Sequence, residues 1–355
     1  MKIAFLVGVP SNGGGERVQN MLIEEFHNLG HDVIIYSWEP TWAECIKDAS
    51  QVLKILKYPP IGILGKIKAY KEFKRILHKD RPDRLVVFPL PLAEVAVFSA
   101  KSCNIPTILS ERCDPYYLPK SLIHRCLRNI VYKISEGIVF QTEEVKQYFS
   151  KSIRNKGVVI QNPIIDDDLP IVDTINCKKE IVAVGRLSEE KNFEMLIRAF
   201  ADIKDSLPGY SLKIYGTGIL YDELQCLITS LSMDDHIFLL GKVDRIVDYI
   251  CNADIFVLSS NHEGMPNALI EAMAMGLACI STDVRSGGTK ALINNMENGI
   301  LIPVGGIDEL KTSLMLLVSN RELTLSMKRR AMQIRKTNAK EQIIPRWISY
   351  INDVS

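Results

Sequence analysis

The sequence predicts an α/β protein with two doubly wound parallel sheets, each covered by helices. Short apolar runs typical of buried strands alternate with segments of helical periodicity along both halves of the chain. With 355 residues, of which 47% are hydrophobic, the chain is long enough for two ordinary domains with separate cores. Asn162-Pro163, three aspartates at 166–168 and Pro170 interrupt the alternation, and such turn residues predict a linker.

The first half of the chain alternates strands with helices, which favours a parallel sheet. The predicted strands are Ile3–Val9, Val33–Ser37, Arg84–Phe88, Thr107–Ser110, Gly137–Gln141 and Val158–Gln161. Helices are predicted from Gly15 to Leu29, within the basic segment 54–81, from Leu92 to Cys103 and from Lys120 to Ser135. We assign residues 1–165 to a first domain.

The second half repeats the same alternation and predicts a second doubly wound domain over residues 166–335. Its predicted strands are Ile181–Val184, Ser211–Tyr215, His236–Leu239, Ile255–Leu258, Ala278–Ser281 and Gly299–Pro303. Helices follow at Ile307–Asn320, Glu322–Lys336 and Gln342–Ile351, the last of them within a terminal segment 336–355. Ligands of such sheets bind outside the carboxyl ends of the strands, so the residues that follow each strand are the first candidates for ligand binding.

The net charge is +1, but the two halves carry opposite charge. Residues 1–165 hold 23 Lys and Arg against 16 Asp and Glu, a net +7, whereas residues 166–355 hold 20 against 26, a net −6. The basic pattern lacks interleaved exposed aromatic residues and any known reading motif, so we do not expect nucleic acid as a partner.

Nine Lys and Arg are concentrated in the basic segment 54–81, against two acidic residues, Glu72 and Asp80. Lys66–His78 has the spacing of a basic amphipathic helix, whose apolar positions include Ile67, Tyr70, Phe73, Ile76 and Leu77. Such a helix can lie on an anionic membrane surface. The same pattern also describes a solvated helix that covers a core, and both interpretations stay open.

Membrane spans, signal peptides and metal sites are not expected. No apolar run is long enough to span a bilayer, and the first predicted strand is too short for a signal peptide. The eight cysteines show neither a CxxC pair nor ligand spacing with histidine, which indicates reduced thiols. We therefore expect a cytoplasmic protein, with possible docking on the inner face of the plasma membrane, and no metal or cofactor.

Two carboxylates eight positions apart follow the predicted strand Ile255–Leu258. Gly264-Met265-Pro266 ends this strand region, and helical spacing starts at Asn267. Glu263 then lies in the loop before a helix and Glu271 about two turns into it, near enough to share one ligand. A helix N-terminus attracts phosphate and a carboxylate accepts hydroxyl hydrogen bonds, so a phosphorylated sugar satisfies both.

Two cations follow the strand Ile181–Val184 in the same way. Arg186 lies on the turn and Lys191 near the start of the next helix, so both side chains can reach one diphosphate. Preorganised positive groups stabilise the negative charge that develops on a departing phosphate without the help of a metal. The aspartates at 166–168 resemble a metal-binding run, but their proline-flanked setting favours a solvated turn.

Gly13-Gly14-Gly15 follows a strand and opens a helix, which permits close backbone approach to a phosphate or a sugar. It is not a dinucleotide fingerprint, because Val18 stands where the last glycine of Gly-x-Gly-x-x-Gly is required. No Walker lysine follows either. NAD and ATP are therefore poor candidates.

The two carboxylates resemble the Glu-x7-Glu signature of retaining glycosyltransferases of family four, which have the GT-B fold. Three further segments resemble landmarks of that family in the same order: Asn12–Arg17, Val184–Asn192 and Tyr215–Gly218. The resemblance implies two Rossmann-like domains facing a deep cleft, with the terminal helix packed back on the first domain. It also implies metal-independent transfer of a sugar from a nucleotide diphosphate, with UDP-sugar as the leading donor.

By this resemblance, Arg186, Lys191 and Glu263 carry the catalysis. Glu271 is expected to hold the ribose hydroxyls and Glu263 the hydroxyls of the donor sugar. The donor-binding residues implied are Gly14, Gly15, Gly185, Gly216, Gly218, Gly241, Lys242, Val243, Gly264, Met265, Pro266, Asn267, Ala268 and Glu271.

Two positions depart from the family pattern. Ser110-Glu111-Arg112 stands where family members often have Ser-Glu-His, and an arginine cannot shuttle protons. Arg112 can bind phosphate, so we predict Glu111 and Arg112 to bind a phosphorylated acceptor; the alternative is a helix-end charge cluster. Ala291 replaces an acidic residue that is often found after Gly287-Gly288.

We favour a retaining hexosyltransferase that acts on a saccharide acceptor, lipid-linked or polymer-bound, in cell-surface glycan synthesis. The first alternative is a nucleotide-sugar epimerase on the same scaffold, which would normally need an acid/base pair. The second is a non-catalytic subunit that binds a nucleotide sugar. Because the two cations and both carboxylates are present, transfer fits the sequence better than either alternative.

Overall fold

A computed structural model of the protein describes residues 1–8, 14–44, 52–88, 90–166, 168–170 and 177–354. The chain divides into two compact units: unit 1 contains Met1–Ile165 and Lys340–Ser355, and unit 2 contains Asp166–Ala339. Asn12 and Gly13 of the glycine-rich motif lie outside the described residues, as do Asp167 and residues 171–176 of the predicted linker.

Unit 1 is built on a parallel sheet of seven strands in the order β3-β2-β1-β4-β5-β6-β7. The strands are β1 Lys2–Val7, β2 Asp32–Ser37, β3 Val52–Ile55, β4 Arg84–Val87, β5 Thr107–Ser110, β6 Gly137–Phe140 and β7 Gly157–Val159. Six of them were predicted, and the parallel arrangement is confirmed. The edge strand β3 was not predicted, because its half-buried residues lie within a lysine-rich stretch that lacks a buried apolar run.

Helices cover the unit 1 sheet: α1 Gly14–Asn28, α2 Gly62–Asp80, α3 Leu90–Lys101, α4 Leu122–Ile134, α5 Glu143–Tyr148 and α6 Lys151–Arg154. The apolar stripe of α2 is used for packing, since Phe73 and Leu77 are fully buried against the sheet. Of the other predicted apolar positions, Tyr70 and Ile76 are half-buried and Ile67 is 46% exposed. Further exposed aliphatic residues lie around the start of α2, at Ile61, Ile63 and Leu64, which are 75–81% exposed.

Unit 2 is a second parallel sheet, of six strands in the order β10-β9-β8-β11-β12-β13. The strands are β8 Lys178–Val184, β9 Ser211–Tyr215, β10 Ile237–Leu239, β11 Ala253–Leu258, β12 Ala278–Thr282 and β13 Ile300–Ile302, all six of which were predicted. The helices are α7 Phe193–Asp202, α8 Tyr221–Ser230, α9 Ile246–Ile250, α10 Asn267–Met275, α11 Ile307–Ser319, α12 Arg321–Ala331 and α13 Ile334–Thr337. The prediction of one continuous helix over Glu322–Lys336 is wrong, because a turn at Met332-Gln333 separates α12 from α13.

The order of the unit 2 strands creates a switch point between β8 and β11. From β8 the chain builds outward to β9 and β10 on one side, and it then returns to place β11, β12 and β13 on the other. The carboxyl ends of the two central strands, β8 and β11, are the location where doubly wound sheets bind their ligands.

The amino end of β11 carries a buried ion-pair cluster centred on Asp254. Lys328 Nζ lies 2.5 Å from Asp254 Oδ1, and Arg321 Nη1 donates to the same oxygen at 2.8 Å. Tyr210 Oη donates to Oδ2 at 2.5 Å. The Lys328 side chain is 0% exposed, so this cluster belongs to the core of unit 2.

A last helix, α14 Lys340–Asp353, belongs to unit 1 although it follows the whole of unit 2 in sequence. Trp347 is fully buried there and stacks on Phe88, with 5.6 Å between ring centroids. The Ile138 backbone N–H donates to Tyr350 Oη at 2.8 Å. Among the described residues, no helix combines the length and the apolar character that crossing a membrane requires.

Candidate functional site

The loops after β8 and β11 are tied together at the switch point of unit 2. Asn261 donates its backbone N–H to the Glu190 carbonyl at 2.8 Å, and Ser259 Oγ donates to the Lys191 carbonyl at 2.7 Å. Asn192 Nδ2 donates to Asn261 Oδ1 at 3.1 Å. These bonds link the two segments that the sequence analysis singled out, although about 70 residues separate them along the chain.

Lys191 and Glu263 form an ion pair between these loops. Lys191 Nζ lies 2.5 Å from Glu263 Oε1, and Ser260 Oγ donates to the same carboxylate oxygen at 2.7 Å. The side chains are 17% and 12% exposed, so the pair is shielded from water but still reaches the surface. The structure thus brings together two of the three predicted catalytic side chains.

The backbone around Asn192 places Lys191 at this position. A single turn of 3-10 helix spans Glu189–Lys191 and ends at Asn192, which adopts the left-handed conformation with φ 46°. The Asn192 side chain then accepts a hydrogen bond from the Met195 backbone N–H at 3.3 Å and caps α7. Asparagine suits both tasks, because it tolerates the left-handed region and is a preferred N-cap residue.

Arg186, the third predicted catalytic residue, contacts a different carboxylate. Its side chain is 79% exposed, and Nη2 contacts Glu190 Oε1 at 2.7 Å. An ion pair this exposed contributes little to stability, so the guanidinium can exchange Glu190 for another anion at a small cost in free energy. Each of the two predicted phosphate-binding cations therefore contacts its own carboxylate.

Glu271 lies on α10, which begins at Asn267, as the sequence predicts. It is buried, as are Met265, Pro266 and Asn267 ahead of it. Gly264 and Ala268, which are also predicted donor-binding residues, are half-buried.

The predicted donor-binding glycines stack the loops of unit 2 against each other. A Cβ on Gly216 would lie 1.8 Å from the Gly185 carbonyl oxygen, so no larger residue fits there. Leu187 donates its backbone N–H to the Thr217 carbonyl at 3.0 Å, and Gly216 donates to the Gly241 carbonyl at 2.7 Å. Glycine at 216 is therefore required by loop packing, whatever its role toward a ligand.

The other predicted donor residues of unit 2 lie on the same loops. Gly218 follows β9, two residues beyond Gly216. Lys242 and Val243 follow β10, with Lys242 exposed and Val243 half-buried.

Two residues of this region are not among the predicted site residues. Ser260 holds the Glu263 carboxylate, and a Cβ on Gly288 would lie only 1.6 Å from the Gly264 carbonyl oxygen. The loop after β12 therefore supports the one that carries Glu263. The serine pair after β11 and the glycine pair after β12 were the available signals, but neither reveals its contact by spacing.

In unit 1, Gly14 and Gly15 form the first residues of α1, and Glu111 follows β5. Glu111 is buried, and its two oxygens accept hydrogen bonds from Tyr132 Oη at 2.9 Å and the Cys113 backbone N–H at 3.1 Å. Burial raises the pKa of Glu111. These contacts indicate a carboxyl group that organises the segment after β5.

Arg112 is placed very differently from its neighbour. Its three guanidinium nitrogens are buried and have no hydrogen-bond partner in the part of the chain that the structure describes. Its Cζ lies 5.0 Å from the centre of the Phe88 ring. Burial lowers the pKa of Arg112 to about 10, which still leaves the group charged at neutral pH.

Among the described residues, no group of three or more His, Cys, Asp and Glu is arranged to hold a metal ion. At the start of unit 2, the Asp168 backbone N–H donates to Asp166 Oδ1 at 3.1 Å. Arg245 Nε lies 3.5 Å from Asp166 Oδ2.

Two family models match consecutive parts of this chain. The model described as Glycosyltransferase Family 4 matches residues 12–168, and the model described as Glycosyl transferases group 1 matches residues 168–334. Together they account for all but the two ends of the sequence.

Relatives and solved structures agree with the family models. A Campylobacter jejuni protein named N-acetylgalactosamine-N,N'-diacetylbacillosaminyl-diphospho-undecaprenol 4-alpha-N-acetylgalactosaminyltransferase is 28% identical, covering 96% of this chain and 95% of its own. The structure of Anabaena HepE in complex with UDP has a TM-score of 0.85 at 16% identity, covering 99% of this chain and 100% of HepE. The apo lipopolysaccharide outer core galactosyltransferase WaaB has a TM-score of 0.76 at 20% identity, covering 99% of both chains. These likenesses confirm the GT-B fold.

Proposed function

The chain belongs to glycosyltransferase family four, and from this premise we propose a retaining, metal-independent transferase that uses a nucleotide diphosphate sugar. UDP is the proposed nucleotide, and HepE, which shares the fold, was solved in complex with it. The acceptor is a hydroxyl of a saccharide in the synthesis of a cell-surface glycan.

The Lys191–Glu263 pair is the observation that carries this proposal. It lies at the switch point of unit 2, where a doubly wound sheet binds its ligand, and it is partly open to solvent. A diphosphate would draw Lys191 toward its oxygens and leave the Glu263 carboxylate to accept sugar hydroxyls. A cation fixed at this place lowers the barrier to departure of the nucleotide, because negative charge grows on the leaving phosphate.

Arg186 and Glu271 complete the proposed donor site. Arg186 turns from its exposed pair with Glu190 to the diphosphate, and Glu271 accepts the ribose hydroxyls. Catalysis then proceeds by front-face substitution, in which the bond from the sugar to the phosphate breaks as the acceptor oxygen attacks. The leaving phosphate takes the acceptor's proton, so no protein base is required.

A lipid-linked acceptor is the second part of the proposal. The name of the C. jejuni relative places undecaprenol diphosphate in that protein's substrate. Unit 1 of the present chain has matching surface chemistry, because the exposed aliphatic residues at the start of α2 are flanked in sequence by the exposed Lys57 and Lys68. Aliphatic side chains that enter the headgroup region, flanked by lysines, favour an anionic membrane surface.

The start of α4 adds a second group of exposed aliphatic residues. Leu122 and Ile123 are 75% and 78% exposed, with Lys120 next to them in sequence. Helix α3 packs against both α2 and α4, so the two groups belong to one layer of helices.

Thermal-shift binding with a panel of nucleoside diphosphates and their sugars tests the donor proposal. We expect UDP and a UDP-sugar to raise the melting temperature, and slow hydrolysis of that UDP-sugar to continue in the presence of a chelator. Loss of hydrolysis in chelator would contradict the metal-independent mechanism. Inversion within the sugar without an acceptor would favour the epimerase, and nucleotide binding without any turnover would favour the non-catalytic subunit.

Co-sedimentation with vesicles tests the membrane proposal. We expect the protein to bind vesicles that contain phosphatidylglycerol and not vesicles of phosphatidylcholine alone. The variant Ile63→Glu/Leu64→Glu should lower the bound fraction about tenfold, because two aliphatic side chains no longer enter the bilayer interface. Met296→Glu/Val304→Glu changes two exposed apolar residues of unit 2 and serves as the control. Equal binding to both vesicle types would remove the proposal.

A further inference from the structure

Among the described residues, the side chain of Arg112 has no hydrogen-bond partner, although a buried cation requires one. Guanidinium groups stay charged at neutral pH, and burial of an unpaired charge costs several kcal/mol. None of the three nitrogens has a hydrogen-bond partner among the described residues. A buried cation left in this state is unfavourable for the fold alone.

The groups near Arg112 in the part of the chain that the structure describes do not supply that partner. The adjacent carboxylate, Glu111, accepts hydrogen bonds from Tyr132 Oη and from the Cys113 backbone N–H instead. Glu16, in the first turn of α1, acts on Arg112 only through its charge and forms no ion pair with it. The ring of Phe88 offers its face at 5.0 Å, a contact that favours a cation but satisfies no N–H donor.

We propose that Arg112, in unit 1, binds a phosphate or diphosphate group of the acceptor. The planar guanidinium presents paired N–H donors that match two oxygens of a phosphate, which a lysine cannot reproduce. Arg112 and Phe88 follow β5 and β4 directly, so they lie at the carboxyl edge of the unit 1 sheet. Ligands of doubly wound sheets bind at this edge.

The assignment to the acceptor rests on the proposed function. Most of the donor residues proposed above lie in unit 2, whereas Arg112 lies in unit 1. A transferase has two substrates, and the acceptor is the remaining candidate. The donor's own phosphate is the competing source of the same chemistry, and the experiment distinguishes the two.

Inorganic pyrophosphate is the probe, added to protein that is already saturated with UDP. We expect pyrophosphate to raise the melting temperature of the wild type further, because UDP leaves the Arg112 site empty. Arg112→Met should melt at the same or a higher temperature without anion, since it removes an unpaired buried charge, and should show no response to pyrophosphate. Arg112→Lys, which keeps the charge but not the paired N–H donors of the guanidinium, should bind pyrophosphate about 10- to 100-fold more weakly.

Arg329→Met, the same change at an exposed position of α12, is the control and should keep the wild-type response. An equal response of wild type and Arg112→Met, or a wild-type response that disappears once UDP is bound, would overturn the proposal. A large loss of stability in Arg112→Met would also contradict it, because that result assigns Arg112 to the fold. Failure of the donor proposal is detected separately, as no effect of UDP on the wild type.

Discussion

Strand β11 has a lysine–carboxylate pair near each end, and the two pairs are built differently. At the amino end, Asp254 accepts from Lys328, Arg321 and Tyr210, so both of its oxygens are used, and Lys328 is 0% exposed. At the carboxyl end, Lys191 and Glu263 lie between two loops and keep 17% and 12% of their side-chain surface.

This difference distinguishes an ion pair that stabilises the fold from an ion pair that is available to a ligand. A fully bonded, buried pair resists change, because removal of one member leaves a buried charge without compensation. A pair that lies on loops at a switch point and contacts solvent can exchange its partner for a ligand. Residue types alone do not distinguish these cases.

Lys328→Met tests the structural pair and has the largest expected effect. It leaves Asp254 buried without its lysine, so we expect the free energy of unfolding to fall by about 3–5 kcal/mol. Urea denaturation measures this change. Turnover per folded molecule should stay at the wild-type level, and a selective loss of turnover at unchanged stability would reverse the interpretation of the cluster.

Lys191→Ala tests the pair at the switch point. We expect turnover to fall about 10²- to 10³-fold, because the cation that stabilises the leaving phosphate is gone, with only a modest loss of stability. Steady-state transfer or donor hydrolysis measures this effect.

The chain offers a matched control for that variant in Lys213. This lysine lies on β9, pairs with Glu180 Oε1 at 2.6 Å, and has a similar exposure. Lys213→Ala should cost comparable stability and no turnover. If both variants lose activity equally, position at the switch point is not what makes the Lys191 pair functional.

Ser260→Ala tests a smaller contribution to the pair at the switch point. It removes one hydrogen bond to Glu263 Oε1, so we expect a loss of about 0.5–1.5 kcal/mol in transition-state stabilisation, roughly two- to tenfold in kcat/KM. Ser230 is an exposed residue of α8, and Ser230→Ala removes a hydrogen bond to the Leu227 carbonyl. This variant should leave kcat/KM unchanged.

The pH dependence of the structural pair has the smallest expected effect. Burial alone raises the pKa of Asp254, but Lys328, Tyr210 and Arg321 outweigh burial and hold it below the usual 3.8. The stabilisation is therefore complete above about pH 3.8 and is lost as the pH falls through the folded-state value. The difference in unfolding free energy between wild type and Asp254→Asn should be constant from pH 7 to 5 and shrink below pH 4. A gap that widens toward acid would refute this sign.

The strands and the main motifs could be predicted because their signals are local. Buried parallel strands such as Ile255–Leu258 are unbroken apolar runs, and Glu263 and Glu271 are fixed by the length of one turn and two helical turns. The edge strand β3 has no such run, since Lys54 lies on a face that contacts solvent and Asp80. Edge strands carry weaker patterns because less of their surface is buried.

The contacts that organise the site could not be predicted, because they join residues distant in sequence. The short distance between Gly216 and the Gly185 carbonyl depends on how neighbouring loops pack, which no spacing encodes. The same holds for Arg112, for which the sequence predicted phosphate binding, with a helix-end charge cluster as the alternative. Only the tertiary structure reveals that Glu111 contacts other groups and that the guanidinium has no hydrogen-bond partner among the described residues.

Because α14 completes unit 1, the order of synthesis and the order of folding differ in this protein. Residues 166–339 are contiguous, so unit 2 has its whole sequence available before α14 is translated. The core of unit 1 is completed only when Trp347 and Ile351, both fully buried, cover apolar surface on the face of the sheet that α1 also covers. The first half of the chain therefore leaves the ribosome with an uncovered hydrophobic patch, and this patch is the expected target of chaperones until the last helix arrives.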